Sequence, residues 1–516
     1  MLYPSSCSDE CFTCFIGGNF PQTGATTSTP YNQSIAVGEH NAYPSTQVAI
    51  IQPRFGFAWS GGPSGHTVAR GGIGFFADEV PATNVAQEYK TFPELFEPTI
   101  RSGVVGSAAG SAMAYAEAGN QALLNGFSSG ESYNQIQAAL AAQNVPFSAP
   151  SYYLTPQKFL NPEYAEWSLQ LEQQLNPRDA IILSYVGNHG YNLLMPNFLL
   201  NQTTAGSLYA KGGYSFQDLP ASAPDARFAE VGTFSNLGLS NYGGASVEYK
   251  HIDRHGITAD VSYTWSHALD DISNGGVGLH FNANGINSQI VPGSVSDLMY
   301  SNADYDIRNN LVFDFVYVEP LHFRNRIVEE AAGGWTIGTK GFWRSGLPFS
   351  IVNGNAQNAL SNGTGTDTVL AEALSTGYSH VCKSYAHPCL QSAGLFNGQG
   401  LKSSGTTAVP YGPGPYPQTT FGNIPRNSFY GPHFSDVDLS LYKNIFSVHE
   451  VKFQIGAQAY NAFNHINFGA PLNNASLTST LGVISASNTL PTPTGPYGKY
   501  EGPGNRIVVV QGRLTF

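Results

Sequence analysis

The chain has 516 residues, of which only 23 are basic and 35 acidic, and it is rich in glycine (57) and proline (32). The charged fraction of 11% is well below the roughly one quarter typical of soluble domains, and it excludes a charged disordered tail and a helical coiled coil. A formal net charge of −12 disfavours nucleic acid as a partner, because nucleic-acid binding requires a basic surface. A large protein rich in β-strands remains.

Alternation of apolar and polar residues is the main pattern along the chain. In residues 261–266, for example, every second side chain is apolar. Successive side chains of a strand point to opposite faces, so such a segment predicts a strand with one apolar and one polar face. This pattern predicts strands at 48–59, 66–76, 164–175, 180–187, 237–250, 257–267, 308–318, 334–344, 434–445, 449–460 and 505–516.

The lengths of the connections between these segments alternate. The short connections are 60–65, 176–179, 251–256, 319–333 and 446–448. The long connections are 77–163, 188–236, 268–307, 345–433 and 461–504. In an antiparallel meander, connections of one parity lie at one end of the sheet. We therefore predict an all-β fold, an up-and-down transmembrane β-barrel of about 11–12 strands with short periplasmic turns and long extracellular loops.

The last predicted strand ends in an aromatic residue. Phe516, Leu514, Val510 and Val508 alternate with polar residues and share one face. This arrangement resembles the C-terminal assembly signal of outer-membrane barrels. It implies contacts with the barrel-assembly machinery and with outer-membrane lipid and lipopolysaccharide.

Charged residues at polar strand positions are candidates for the barrel lumen, where they would contact a plug, water or solute. They are Glu248, Lys250, Asp314, Lys340, Asp436, Asp438, Lys452 and Arg513.

Two further groups lie in the long connections. Four acidic residues of the long connections form a candidate calcium site, because Ca²⁺ prefers oxygen ligands. The alternative is that these residues are exposed to solvent in the loops. These residues are Asp270, Asp271, Asp304 and Asp306. Cys382 and Cys389 close a short loop and are a candidate disulfide, with free thiols as the alternative. No cofactor is predicted.

A serine-nucleophile pattern, Gly-x-Ser-x-Gly, occurs at 126–130. A nucleophile elbow follows a buried strand and opens a helix. Here the preceding residues are alanine-rich and predict a helix within 107–145 instead. We therefore do not expect Ser128 to be a catalytic nucleophile.

Several stretches resemble recurring pieces of TonB-dependent receptors of the Oar-like type. They are spaced along most of the chain, at 53–59, 68–76, 185–190, 304–308, 334–349, 426–432, 437–444 and 459–469. The resemblance implies an outer-membrane location and the uptake or export of a large solute or polymer, with no chemistry performed by the barrel. It implies a TonB-type energy coupler as partner only if a plug is supplied upstream.

The resemblance covers only the C-terminal barrel portion of such a receptor, and the N-terminus has no signal-peptide pattern. We therefore expect a fragment, a truncated reading frame or half of a split protein. Residues 1–45 are expected to be the remnant of a preceding extracellular loop or a poorly ordered N-terminus, and residues 46–516 the C-terminal portion of the barrel. Two alternatives remain open. One is a structural or adhesive surface protein acting through its long loops, and the other is a secreted all-β carbohydrate-binding protein or hydrolase.

Overall fold

The architecture was established with a computed structural model. The structure describes residues 14–17, 24–33, 36–39, 49–62, 66–79, 112–142, 147–154, 160–197, 200–253, 256–271, 273, 297–319, 324, 326–360, 369–381, 390, 394–448, 451–484 and 506–515.

Eleven long strands form one antiparallel meander in which each strand pairs with its neighbours in the sequence. They are β1 (Arg54–Gly61), β2 (Thr67–Ala77), β3 (Glu163–Asn176), β4 (Asp179–Asn197), β5 (Val231–Ile252), β6 (Ile257–Asp270), β7 (Asn309–Val318), β8 (Trp335–Arg344), β9 (Phe434–Val448), β10 (Val451–Tyr460) and β11 (Ile507–Thr515).

All eleven predicted strands are confirmed, and so is the alternation of short and long connections. The boundaries differ most between β4 and β5, where the prediction ended β4 at 187 and began β5 at 237. The two strands in fact continue to pair as far as Asn197 and Thr233, across register shifts between Gly190 and Met195. Bulges of this kind break the simple alternation that the sequence analysis followed, which is why the outer ends of these strands were missed.

The short turns are specified by local chemistry. In the β3–β4 turn, the Asn176 side-chain oxygen accepts hydrogen bonds from the backbone amides of Arg178 and Asp179 at 2.8 and 3.1 Å. This Asx-type bonding favours a tight reversal. In the β5–β6 turn, Gly256 has a φ of +85°, and a Cβ there would lie 1.8 Å from the Val318 carbonyl oxygen. Glycine is therefore required at that position.

The sheet has two chemically different faces, which we call the apolar face and the polar face. One register row of the apolar face crosses eight strands. Six of its large side chains are between 36% and 56% exposed, although they are apolar or aromatic. The row contains Trp59, Ala69, Leu171, Leu183, Val247, Tyr263, Leu311 and Trp343.

The described parts of the connections contain five helices: α1 (Ala112–Ser129), α2 (Tyr133–Ala141), α3 (Leu208–Lys211), α4 (Arg326–Ala332) and α5 (Gly354–Leu360). The predicted helix within 107–145 is thereby confirmed as α1 and α2. None of the helices that the structure describes has the length and apolar character needed to cross a membrane.

The shorter strands form two-stranded sheets or add to the edge of a long strand. Cys14–Gly17 pairs with Ala36–Glu39, Pro348–Phe349 with Phe429–Tyr430, Glu372–Ala373 with Phe396–Asn397, and Gly400–Ser404 with Thr407–Tyr411. Tyr152–Leu154 adds to β5 and Ser301–Asn302 to β6.

The hydrophobic core lies mainly in the long connections and not between layers of the sheet. We call the described residues of 200–230, 297–308, 345–433 and 461–484 the loop cluster. Among its described residues, one hydrophobic core buries Phe216, Leu370 and Phe421, and another buries Phe349 and Phe429. The loop cluster is thus a packed unit at the long-loop end of the sheet.

Candidate functional site

A row of charged residues crosses the polar face. Lys250, Asp260, Asp314, Lys340 and Asp438 are successive register partners on β5 to β9. Register partners project from the same face of a sheet, so these five side chains lie side by side. The row carries two positive and three negative charges and gives the polar face a strongly hydrophilic band.

Ion pairs within this band are loose and open to solvent. The Lys250 Nζ lies 2.9 Å from Glu248 Oε1 and 3.9 Å from Asp260 Oδ2. The lysine side chain is 45% exposed. Pairs this accessible contribute little to stability, so their charges remain available to water or a solute.

The other residues predicted to face the lumen lie on this same face. Asp436 is two residues from Asp438 on β9. Arg513 of β11 is the register partner of Gln454, which is two residues from Lys452 on β10. All eight lumen candidates therefore share the polar face, and whether that face lines a lumen stays a prediction.

The loop cluster is built on aromatic packing. The Phe216 ring contacts those of Tyr209 and Phe421 edge to face, with centroids 5.2 and 4.9 Å apart. The Tyr209 hydroxyl donates to the Gln418 carbonyl oxygen at 2.5 Å. Because these rings pack closely and the Tyr209 hydroxyl has a buried acceptor, this part of the cluster presents a defined surface at the long-loop end.

Arg426 is the central buried cation of the loop cluster, with no exposed surface. Its guanidinium donates to Asp270 Oδ1 at 2.6 Å and to the Met299 carbonyl oxygen at 3.1 Å. Another nitrogen lies 3.7 Å from Asp304 Oδ1. The adjacent Asn427 side chain donates to the same Asp304 oxygen at 2.6 Å. Arg426 thereby joins the connection after β6 to the connection before β9.

The four aspartates of the calcium prediction are placed near one another but in different roles. Asp270 and Asp304 face Arg426. Asp271 accepts a hydrogen bond from the Leu239 amide at 2.8 Å, and Asp306 accepts from the Tyr430 hydroxyl at 2.8 Å. Among the residues described, no group of three or more His, Cys, Asp or Glu side chains is arranged to hold a metal ion. Calcium binding stays a prediction.

Two of these carboxyl groups have altered acidity. Burial, with a smaller contribution from the nearby Asp270 charge, raises the pKa of Asp271 to about 6. Burial also raises the pKa of Asp306, although hydrogen bonds from the Ala268 amide and the Tyr430 hydroxyl oppose the shift. Asp271, at the base of the loop cluster, therefore changes charge at mildly acidic pH.

Residues 24–33 pack against the loop cluster. Asp225 and Arg227 form a fully buried ion pair at 2.7 Å. The Arg227 guanidinium also donates to the carbonyl oxygens of Pro30 and Gln33, at 2.6 and 2.9 Å. This part of the N-terminal segment thus lies at the long-loop end of the sheet. The proposed division at residue 45 stays a prediction.

The remaining candidates are placed as follows. Leu514, Val510 and Val508 lie on the apolar face of β11 and are 55%, 74% and 60% exposed. Phe516, Cys382 and Cys389 lie outside the described residues. The serine of the Gly-x-Ser-x-Gly pattern belongs to the last turn of α1 and not to a strand-to-helix elbow.

The loop cluster and its buried polar residues are not predicted by the periodicity of the sequence. The connection 345–433 does contain apolar residues that could have indicated a buried core, such as Ile351, Leu370 and Phe421. They do not follow the periodicity of a long strand or helix. Arg426 was noticed only as part of a resemblance. Its burial depends on contacts from residues more than a hundred positions away.

Comparison with known proteins gives the family. The model of a family described as outer membrane beta barrel domain matches residues 16–492. This match covers most of the chain, so the protein belongs to the outer-membrane β-barrel family and is located in the outer membrane. The predicted fold class and location are confirmed. No curated protein sequence was found to match the chain.

A search of solved structures matched the chain to several transporters and receptors, including the following three. The outer membrane transporter YddB from Escherichia coli has a TM-score of 0.38 at 8% identity, covering 88% of this chain and 39% of that one. The FrpB iron transporter from Neisseria meningitidis (F3-3 variant) has a TM-score of 0.33 at 11% identity, covering 89% and 38%. The siderophore receptor PirA from Acinetobacter baumannii has a TM-score of 0.34 at 10% identity, covering 90% and 41%. The chain spans about two fifths of the length of these structures.

Proposed function

We propose that the protein is a non-enzymatic transporter of the TonB-dependent receptor type, in which the polar face borders a passage and the loop cluster recognises a large solute. The charged row from Lys250 to Asp438 is the observation that carries this proposal. In an outer-membrane barrel one face of each strand contacts lipid, where a charge costs about 2–4 kcal/mol at the midplane. The charges of this row, on the face opposite the exposed apolar side chains, are therefore expected to border water.

The loop cluster supports the recognition part of the proposal. Side chains that are held in place before binding lower the entropic cost of recognising a solute. The interlocking of Arg426, Asp270 and Asn427 supplies that rigidity at the outer end of the sheet. Energy coupling would additionally need a plug and a TonB-type partner.

Cysteine accessibility in intact cells tests the passage. Single cysteines replace Asp438 on the polar face and Leu439 on the apolar face, in a background without the five native cysteines. A membrane-impermeant thiol reagent is added from outside. We expect modification of the Asp438→Cys variant and none of the Leu439→Cys variant, with a cut-off as reagent size increases.

A different result would favour a surface protein. If Tyr411→Cys in the loop cluster reacts while Asp438→Cys does not, even with the smallest reagent, the polar face does not border a passage. Tyr411 is 49% exposed and serves as the positive control for expression and labelling.

A further inference from the structure

Helix α4 is amphipathic, and its apolar side is exposed. It lies in the connection between β7 and β8, at the short-turn end of the sheet. At 3.6 residues per turn, one side of the helix is apolar and the positions of the opposite side are charged. The apolar side consists of Ile327, Val328, Ala331 and Ala332, and the charged positions are Arg326, Glu329 and Glu330.

The apolar side of α4 is exposed along its whole length. Ile327 is 77% exposed and Val328 41% exposed. Ala331 and Ala332 are exposed as well. Seven residues form too short a helix to be stable in water alone, so α4 needs a surface against which its apolar side packs.

Contacts at the end of α4 fix it beside the apolar face of the sheet. The Trp335 indole donates to the Ala331 carbonyl oxygen at 3.0 Å. The Lys443 ammonium lies 5.6 Å from the centre of the Trp335 ring and donates to the Gly333 carbonyl oxygen. Trp335 and Lys443 are register partners, and the same row continues to Ile455. This row belongs to the apolar face, because Ile337 and Leu441, two residues away, belong to it and are each 43% exposed.

We propose that α4 is an interfacial helix that inserts its apolar side into the periplasmic leaflet of the outer membrane, among the glycerophospholipids. The short-turn end of an outer-membrane barrel faces the periplasm, so α4 lies at the depth of that leaflet's headgroups. The C-terminal end of α4 adjoins Trp335 and Lys443, which belong to the lipid-facing surface of β8 and β9. A tryptophan and a lysine at the same level match the residues that anchor proteins at membrane interfaces. Insertion of such helices reaches about 5–10 Å below the headgroups.

Depth-dependent fluorescence quenching in proteoliposomes tests the proposal on the full chain. An environment-sensitive thiol probe is placed at Ile327→Cys, on the apolar side, and at Glu330→Cys, at the opposite side of the same helix. Leu441→Cys on the apolar face is the control for lipid contact, and Leu477→Cys, 55% exposed in the loop cluster, is the control for water contact. Phospholipids brominated near the headgroup or near the chain end are the quenchers.

The expected result separates the four positions. The probe at 327 should emit at a shorter wavelength than the probe at 330, and it should be quenched more by bromines near the headgroup than by those near the chain end. The probe at 441 should be quenched and the probe at 477 should not. A probe at 327 that emits as in water overturns the proposal, and so does one that is shielded from water yet unquenched by either lipid, because a protein would then cover α4.

Discussion

Removing the guanidinium of Arg426 should open the loop cluster while leaving the sheet folded. Asp270 and Asp304 are 1% and 2% exposed, so in an Arg426→Ala variant two carboxylates stay buried without their cation. Breaking a buried ion pair on one side costs about 3–5 kcal/mol. At 1.36 kcal/mol per factor of ten, this cost corresponds to about 10²- to 10⁴-fold faster local opening.

Hydrogen exchange followed by mass spectrometry in detergent measures this opening directly. We expect the amides of residues 297–306 and 420–430 to exchange faster by that factor, since they exchange through opening of the cluster. The amides of β9 and β10 should be unchanged. Lys402, an exposed cation 4.2 Å from the Tyr411 ring in the same cluster, supplies the matched control. Its replacement by alanine should cost no more than about 1 kcal/mol.

A second variant separates charge from packing. Adding Asp270→Asn to Arg426→Ala removes one of the uncompensated charges, so the double variant should be less destabilised than the sum of the two single variants. Unchanged exchange at 297–306 in the Arg426→Ala variant would refute the assignment of Arg426 as the residue that joins the two connections.

Three further predictions follow from the faces and the base of the cluster. Leu439→Lys on the apolar face should lower the free energy of unfolding in lipid by about 2–4 kcal/mol, whereas Ser440→Lys on the polar face should not. Urea titrations measure both values. Equal losses in the two variants would contradict the claim that the two faces have different environments. The pKa of Asp271 is raised from 3.8 to about 6, so its stabilising contribution is complete below pH 4 and is lost as pH rises through 6. Limited proteolysis of the cluster should therefore become faster over this pH range. If the Asp271→Asn variant shows the same pH profile as the unaltered protein, Asp271 is not the group responsible. Phe516→Ala should reduce the heat-modifiable, membrane-assembled fraction on gels, and full assembly of that variant would exclude the terminal aromatic as a signal.

The strands could be predicted from the sequence because each one has two environments. Residues such as Leu439 and Leu441 alternate with Asp438 and Ser440, and the register then places the two sets on opposite faces. The lengths of the connections indicated which end of the sheet is periplasmic and which is extracellular. These are local signals, and they need no knowledge of distant contacts.

The loop cluster could not be predicted because its contacts are distant in sequence. The Arg426 guanidinium contacts Asp270 across 156 positions, and the Tyr209 hydroxyl contacts Gln418 across 209. The periodicity of a sequence does not predict contacts between such distant residues. For the same reason the sequence cannot show that Arg426 lies between Asp270 and Asp304, two of the residues predicted to bind calcium.

The central claim is that one face of the sheet contacts lipid and the other contacts water. Spin labels placed one at a time along residues 435–443 of β9, in membranes, test it by their collision with oxygen and with a water-soluble nickel complex. We predict oxygen maxima at 437, 439, 441 and 443 and nickel maxima at the positions between them. Low accessibility to both reagents at 437, 439 and 441 would contradict the claim, because those side chains would then be buried inside a protein core.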